Sequence, residues 1–424
     1  MRYLYSLLLY LLTPFVILRL LWRSLKAPAY RRRWAERFAL IAPLPVERVV
    51  WVHAVSVGEA QAAFPLIEWL REEKGLPVLV TTTTPTGSER VRQRFGDAVF
   101  HVYLPYDLPG SVRRFLQRVR PRLAVIMETE LWPNLFHHCR RGGVPLVVAN
   151  ARLSGRSSRR YARLAGFTRQ VLADITLIAA QTQADADRFI ALGADGTQVC
   201  VTGNIKFDLA VTGTAQQQAV AWRQSWRGRA VWIAASTHAG EEEAVLSAHA
   251  MVLTRLPRTL LIWVPRHPER FDKVAELCRR RGYRLARRSL DESVTDAVSV
   301  WLVDTLGELP LLYAAADVAF VGGSLVESGG HNVLEAAAAG VPVVVGPYTF
   351  NFLEIVRALL GQGGGERVQS ETQLATAVVR YLEDPKLRDA AGACGRELVE
   401  RNRGALKKLQ GWVGSYLDAP KPGR

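Results

Sequence analysis

Short apolar segments rich in Val and Ile alternate with longer helical stretches along most of this chain. A strand buried on both faces of a parallel sheet appears in sequence as such a continuous apolar segment, because helices cover both faces. The predicted strands of the first half are residues 49–55, 76–82, 99–105, 122–128, 144–150 and 175–181. Those of the second half are residues 230–236, 259–265, 298–304, 317–323 and 341–347. The sequence therefore predicts an α/β fold with two doubly wound, Rossmann-like sheets.

The strand pattern stops near residue 203 and restarts at residue 230, which indicates two domains in this chain of 424 residues. The predicted boundaries are 1–25 for a membrane anchor, 26–208 and 209–417 for the N-terminal and C-terminal Rossmann-like domains, and 418–424 for a tail. Two such domains and no third match the outline of the GT-B architecture, in which the active site lies in an interdomain cleft. Other proteins share this outline, so the fold leaves the chemistry open. The final helices, about 385–415, could pack on either domain.

The formal charge of +16 indicates an acidic partner, either nucleic acid, an anionic membrane or a phosphorylated substrate. The arginines lack the basic and aromatic pattern of an RRM and the spacing of a zinc finger, which disfavours nucleic acid. The cysteines, at positions 139, 200, 278 and 394, show no metal-binding or disulfide spacing. They indicate reduced thiols in a cytoplasmic protein.

The N-terminal segment Tyr3–Trp22 is apolar and about as long as the ~20 residues that cross a bilayer. It contains Pro14 and Arg19, and no small-residue cleavage site follows it, so a removable signal peptide is disfavoured. A basic cluster follows, made of Arg23, Lys26, Arg31, Arg32, Arg33 and Arg37. By the positive-inside rule, this cluster keeps the rest of the chain in the cytoplasm. The segment could span the membrane, lie in it, or form a buried helix of a soluble domain.

Acidic residues follow two predicted strands of the first half, where ligands of open α/β sheets gather. Glu59 begins the helix after the first strand, where it either accepts a proton from a substrate hydroxyl or only complements the helix dipole. Glu128 and Glu130 follow the fourth strand, and two carboxylates two residues apart at the end of a buried strand need a partner such as a cation or Arg152. Lys206 falls where the first domain ends and either binds an anionic donor or lies in solvent.

In the second half, Arg266 and His267 follow a strand directly and can bind phosphate, with the N-terminus of the following helix adding its dipole. The pairs Gly322–Gly323 and Gly329–Gly330 precede Glu335, and this arrangement of glycines and a carboxylate is typical of a nucleotide site. The sequence contains no P-loop, HExxH or GxSxG motif, which excludes several hydrolase classes. The one DxD motif, Asp185–Asp187, lies in a predicted helix, where residues two apart diverge, so a metal-independent enzyme is favoured.

Several motifs together resemble one family, the 3-deoxy-octulosonic acid (Kdo) transferases of lipopolysaccharide assembly. They are SVGEA, TTTTPTGSER, YLPYDLP, METELWPN, ANARLS, GNIKFD, PRHPERF, GGSLVESGGHNVLEAAA and GPYTFNF. The resemblance runs in order from about residue 3 to 415 and includes APAYRRRWAERF after the apolar segment.

The resemblance implies an inverting GT-B enzyme with CMP-Kdo as donor and the lipid A precursor lipid IVA as acceptor, and without a cofactor or metal. The N-terminal domain would bind the acceptor and the C-terminal domain the CMP-sugar. Glu59 would be the general base, supported by Glu128 and Lys206. The CMP contacts implied are Arg266, His267, Leu306, Gly307, Glu308, Asn332, Val333, Leu334 and Glu335. The enzyme would lie at the cytoplasmic face of a bacterial inner membrane, whose anionic surface would explain part of the basic charge.

Three alternatives stay open. A nucleotide-sugar epimerase or a hexosyltransferase using UDP would share the fold, and preference for CMP over UDP distinguishes them. A membrane-bound nucleotide sensor would bind CMP and tolerate loss of Glu59. A basic nucleic-acid binder is the third, and no motif supports it.

Overall fold

The computed structural model describes residues 1–26, 28–208 and 213–418. It divides into two compact units: residues 1–206 with 403–424, and residues 207–402. The strands of the first unit are β1 Val50–His53, β2 Val78–Thr82, β3 Phe100–Tyr103, β4 Leu123–Met127, β5 Leu146–Ala151, β6 Leu177–Ala180 and β7 Val199–Val201. They form one parallel sheet in the order β3-β2-β1-β4-β5-β6-β7.

The second unit has the same construction. Its strands are β8 Val231–Thr237, β9 Leu260–Pro265, β10 Leu285–Arg287, β11 Val300–Leu302, β12 Val318–Val321, β13 Val343–Val345 and β14 Gly365–Arg367. They form a parallel sheet in the order β10-β11-β9-β8-β12-β13-β14. In each sheet the strand order reverses beside the first strand of the unit, and such reversal points hold ligands in open α/β sheets.

Helices connect these strands, as parallel pairing requires. Those of the first unit are α1 Arg2–Lys26, α2 Val57–Glu72, α3 Pro85–Phe95, α4 Pro109–Val119, α5 Pro133–Arg141, α6 Gly155–Ala162, α7 Ala165–Leu172 and α8 Gln183–Ala191. Those of the second are α9 Gly213–Ser225, α10 Glu242–Arg255, α11 Phe271–Arg280, α12 Leu309–Ala314, α13 Leu334–Ala338, α14 Leu353–Gly361, α15 Glu371–Glu383 and α16 Pro385–Asn402. Short 3₁₀ helices lie at Pro28–Arg31, Trp34–Phe38, Gly96–Ala98, Gly196–Gln198, Ile205–Phe207, Pro268–Arg270 and Arg288–Leu290.

The last helix, α17 (Ala405–Asp418), belongs to the first unit. Its Leu409, Val413 and Leu417 join the apolar core of that unit, and Arg122 donates to the carbonyl of Leu417 at 2.6 Å. The predicted second domain, 209–417, therefore ends earlier, at Asn402. The predicted tail begins inside α17 at Asp418, and its residues 419–424 lie outside the described residues.

The predicted strands all exist. Most are shorter than predicted by a few residues, while β5 and β8 extend one residue beyond the predicted end. The prediction missed β7, β10 and β14, each three residues long. β7 and β14 are edge strands whose residues are partly buried or exposed, and β10, with one buried residue, is a further edge strand. None of the three therefore carries a long apolar run.

Among the described residues, α1 alone has the length and hydropathy of a membrane-crossing helix. Most of its large apolar side chains are exposed. The alternative that this segment is a buried helix of a soluble domain is therefore wrong. Part of the basic cluster after α1 is internal. Arg33 donates to Ser88 and to the carbonyl of His101, and Arg37 is 5% exposed and donates to the carbonyl of Thr83. The guanidinium groups of Arg33 and Arg37 therefore make hydrogen bonds within the unit and are not available to bind lipid headgroups.

Candidate active site

Glu59 lies in the first turn of α2, directly beyond strand β1. Its carboxylate accepts hydrogen bonds from the backbone N–H of Val55 at 2.8 Å and from Ser56 Oγ at 2.9 Å, while Ser56 Oγ accepts from the N–H of Glu59. This is a variant of the capping box, in which the carboxylate accepts from the N–H of Val55, one residue before the N-cap Ser56. The helix-capping interpretation of Glu59 is therefore confirmed. Burial, the largest cause, and the nearby Glu128 carboxylate raise the pKa of Glu59, and a raised pKa suits a base working near neutral pH. The two roles are compatible.

Glu128 follows strand β4 and forms an ion pair with Lys206. Lys206 Nζ lies 3.0 Å from Glu128 Oε1, and both side chains are half-buried. The backbone of Glu128 is left-handed, with φ of 58°, a conformation that costs a non-glycine residue about 1–3 kcal/mol and clusters at functional sites. The structure thus brings Glu59, Glu128 and Lys206 together, since the charges of the other two both act on the pKa of Glu59.

Glu130 belongs to the same acidic group. Burial, together with the charges of Glu59 and Glu128, raises the pKa of Glu130 to about 7. With a pKa of about 7, the Glu130 carboxyl is partly protonated at neutral pH.

Asn150 holds the segment that carries Lys206. Its Oδ1 accepts from the N–H of Ile205 at 3.1 Å, and Asn204 Oδ1 accepts from the N–H of Lys206 at 3.0 Å. Asn150 is fully buried and also left-handed, with φ of 53°. Sequence reasoning did not select Asn150, because nothing local to strand β5 indicates a contact 55 residues away.

Arg266 and three histidines lie at the carboxyl edge of the second sheet. Arg266 follows strand β9. Burial, the largest cause, and the charge of Arg266 lower the pKa of His331 to about 3. The Nε2 atoms of His238 and His331 are 2.7 Å apart, and the His238 ring centroid is 5.0 Å from that of His267. His331 is therefore neutral at pH 7, whereas Arg266 supplies a permanent positive charge at this edge. The next residues, Pro268–Arg270, form a 3₁₀ turn, so the helix expected there begins later, at Phe271.

Glu335 lies in the short helix α13, and Asn332 Nδ2 donates to its carboxylate at 3.3 Å. Burial raises the pKa of Glu335, while Asn332 and the charge of Arg266 oppose that shift. The predicted contacts Val333 and Leu334 are 1% and 0% exposed and pack in the apolar core. Only the backbone of these two residues is available to a ligand, so their side chains are not among the CMP contacts.

The turn Leu306–Glu308 follows strand β11, the neighbour of β9 in the sheet. Gly307 has φ of 91°, which requires glycine, and Leu306 is 69% exposed. The carboxylate of Glu308 accepts from Arg288 at 3.0 Å and from the hydroxyl of Thr305. This turn therefore lies at the same edge as Arg266, with the Glu308 side chain held by Arg288.

Glu241 is a buried carboxylate that sequence reasoning missed. It is 0% exposed and accepts four backbone N–H groups, from His238 at 2.8 Å, Gly323 at 2.7 Å, Ser324 at 3.0 Å and Leu325 at 2.9 Å. A Cβ on Gly322 would lie 2.7 Å from the Cα of Thr237, so only glycine permits this approach. Glu241 thus fixes the glycine loop after β12 against the loop that carries His238.

The DxD motif does not form a metal clamp. Asp185 is buried and accepts from the N–H of Leu153 at 2.9 Å, whereas Asp187 accepts from Gln183 at 2.8 Å on the exposed side of α8. Within the described parts of the chain, no three His, Cys, Asp or Glu side chains are grouped closely enough to hold a metal ion.

Two sequence profiles match the chain. The profile described as 3-Deoxy-D-manno-octulosonic-acid transferase matches residues 32–209, and the one described as Glycosyl transferases group 1 matches residues 281–398. Among solved structures, the UDP-GlcNAc 2-epimerase of Neisseria meningitidis covers 87% of this chain with a TM-score of 0.56 at 16% identity, a likeness of fold alone.

The two parallel-sheet units have the GT-B architecture, and both profiles identify a chain of this architecture as a glycosyltransferase. The 3-deoxy-D-manno-octulosonic acid transferase of Haemophilus influenzae is 43% identical over 98% of this chain and 99% of its own length. That of Bordetella pertussis is 41% identical over 88% of this chain and 89% of its own. The chain belongs to the Kdo transferase family.

Proposed function

We propose that this Kdo transferase takes Kdo from CMP-Kdo and adds it to a hydroxyl of lipid IVA with inversion at the anomeric carbon, releasing CMP. The observation that carries the mechanism is the group formed by Glu59, Glu128 and Lys206. It provides a carboxylate of raised pKa together with a lysine, 3.0 Å from Glu128, at the end of a sheet. Family membership supports Kdo as the transferred sugar.

In the proposed reaction, the acceptor hydroxyl oxygen attacks the anomeric carbon of Kdo as the bond from that carbon to the phosphate oxygen breaks. Glu59 takes the hydroxyl proton, and the bonding electrons leave with CMP. Lys206, oriented by Glu128 and by the segment that Asn150 holds, supports the negative charge in the transition state.

The second unit is proposed to hold the CMP moiety. Arg266 and His267 bind the phosphate, the Glu335 carboxylate accepts from ribose hydroxyls, and the backbone of Asn332–Leu334 and the turn at Leu306–Glu308 complete the contacts. Arginine, lysine and backbone donors supply the charge stabilisation, so the transfer is proposed to need neither metal nor cofactor. The exposed apolar helix α1 is proposed to attach the enzyme to the cytoplasmic face of the inner membrane.

The test is mass spectrometry of lipid IVA incubated with the enzyme and CMP-Kdo. The proposal expects a mass increase by one or more Kdo residues, equimolar CMP, and no transfer from UDP-sugars. Glu59→Gln serves as the matched control, because it should bind CMP and form product at least about 10²-fold more slowly. Product formation by that variant at the wild-type rate would instead place the base elsewhere, and CMP binding without any transfer by the wild type would favour the sensor alternative.

A further inference from the structure

Helix α1 presents one side to the first unit along its whole length. The side chains of Ser6, Leu20 and Ser24 are 8%, 9% and 1% exposed, and their spacing keeps them on one helical face. Near the start of the helix, Tyr5 Oη donates to Asp107 at 3.1 Å and Ser6 Oγ donates to Asn134 at 3.0 Å. Near its other end, Leu20 and Arg23 line a cavity with Thr83 and Thr84 of the unit. The helix therefore contacts the unit at both ends and is not a tether that leaves it.

The partners of α1 lie at the carboxyl edge of the first sheet. Asp107 follows β3, Asn134 is in the first turn of α5 beyond β4, and Thr83 and Thr84 follow β2. The two threonines line a small cavity together with Val16, Leu20 and Arg23 of the helix. Strand β1, which Glu59 follows, lies between β2 and β4. Helix α1 thus runs along the sheet edge that carries the proposed base.

The opposite side of α1 is apolar and exposed. Six of its side chains are 50% to 66% exposed: Leu4, Leu7, Leu8, Leu11, Phe15 and Leu18. Single exposed apolar residues are ordinary, but a continuous face of this length indicates a membrane or partner surface. Near its end, Arg19, Arg23, Arg31 and Arg32 are exposed, and their charge matches anionic lipid headgroups.

We infer that α1 lies in the plane of the bilayer surface, with its apolar face in one leaflet and its polar face docked on the first unit, and does not cross the membrane. This inference rests on the proposed membrane attachment and specifies its geometry. A spanning helix needs about 20 residues inside the hydrocarbon, which is nearly all of α1. In the docked position, the Asp107 carboxylate and the loops after β2 and β3 would then enter the hydrocarbon, where charged groups and irregular backbone are strongly disfavoured.

An in-plane helix also orients the enzyme. Because α1 follows the edge that carries Glu59, contact with the leaflet holds that edge near the lipid headgroups. A lipid acceptor can then present its sugar hydroxyl to Glu59 while its acyl chains stay in the bilayer.

The decisive measurement is the side of the membrane on which the N-terminus lies. A short, uncharged epitope with a protease site is placed before Met1 of the full chain, and protease is added to intact spheroplasts and to inverted inner-membrane vesicles. The in-plane helix expects cleavage in inverted vesicles only. Cleavage in spheroplasts only, or protection on both sides, would overturn the inference.

Kdo transfer is assayed on the same vesicles, so that failure of the proposed function is seen separately from a wrong topology. Recovery of an active enzyme in the soluble fraction would refute membrane attachment itself and the inference with it.

A cross-link tests the docked position directly. Ser6→Cys with Asn134→Cys is treated with a short bis-maleimide in membranes, and Leu8→Cys with Asn134→Cys is the matched control, since Leu8 faces away. Cross-linking of the first pair only, in an enzyme that keeps transferring Kdo, is expected. A pair that cross-links in detergent but not in membranes would show that the helix leaves the sheet edge in lipid. If the Asn134 variant does not fold, the protease test alone decides.

Discussion

Replacing Glu59 by Gln separates the capping role of this side chain from its proposed role as base. Glutamine keeps one acceptor oxygen, so the bond from the N–H of Val55 or from Ser56 survives while the other weakens. The negative charge lost at the start of α2 is worth ~0.3–1 kcal/mol. The raised pKa of Glu59 shows that the fold disfavours its ionised form, which offsets part of this loss. The free energy of unfolding should therefore fall by about 1 kcal/mol or less.

The effect on chemistry should be much larger. Loss of a general base costs about 10² to 10⁴ in rate, which at ~1.4 kcal/mol per tenfold is roughly 3 to 5 kcal/mol of barrier. CMP affinity should stay unchanged, since its proposed contacts are all in the second unit. Steady-state kcat with lipid IVA, CMP titration calorimetry and a thermal melt measure the three quantities.

Glu130→Gln is the matched control, because it removes a carboxylate of the same group without touching the capping box. It should lose less activity than Glu59→Gln. Wild-type turnover by Glu59→Gln would refute the reasoning, and Glu130, whose pKa is raised to about 7, would then be the next candidate for the base.

Four further outcomes are expected. Lys206→Met removes a charge that lowers the pKa of Glu59, so Glu59 stays protonated to higher pH and the acid limb of the kcat/KM profile should shift to higher pH. Lys206→Arg should restore the wild-type profile. An acid limb that does not shift would show that Lys206 does not act on Glu59. Glu241→Gln places an amide N–H₂ against backbone N–H donors, so bonds that fix the glycine loop are lost. CMP affinity should drop at least about tenfold, and Tm should fall. Unchanged CMP affinity would argue against the loop-fixing role of Glu241. EDTA should leave transfer from pre-formed CMP-Kdo intact, and loss of activity that magnesium restores would contradict this. Removing residues 1–25 should release the protein from membranes while CMP still binds; retention would place the main attachment elsewhere, for instance on the Arg-rich stretch 152–169.

The sequence alone was sufficient for the features that depend on local pattern. A strand covered on both faces must be apolar throughout, so the eleven predicted strands could be located without coordinates. Polar residues directly after such strands must lie at the carboxyl edge of a parallel sheet, which is why Glu59, Glu128 and Arg266 could be selected as site residues. The apolar character and approximate length of α1 could also be predicted from the local sequence.

Tertiary structure decided which distant residues meet. The ion pair of Glu128 with Lys206 joins residues 78 positions apart, and Glu241 accepts from Gly323 across 82. Helix α17 packs on the first unit, and Arg37 turns inward from a basic cluster, although neighbouring residues give no sign of either. Composition and periodicity report only whether a segment is helical, extended, apolar or charged. Long-range partners depend on how the sheets and helices pack, and that information is carried jointly by residues far apart in the chain.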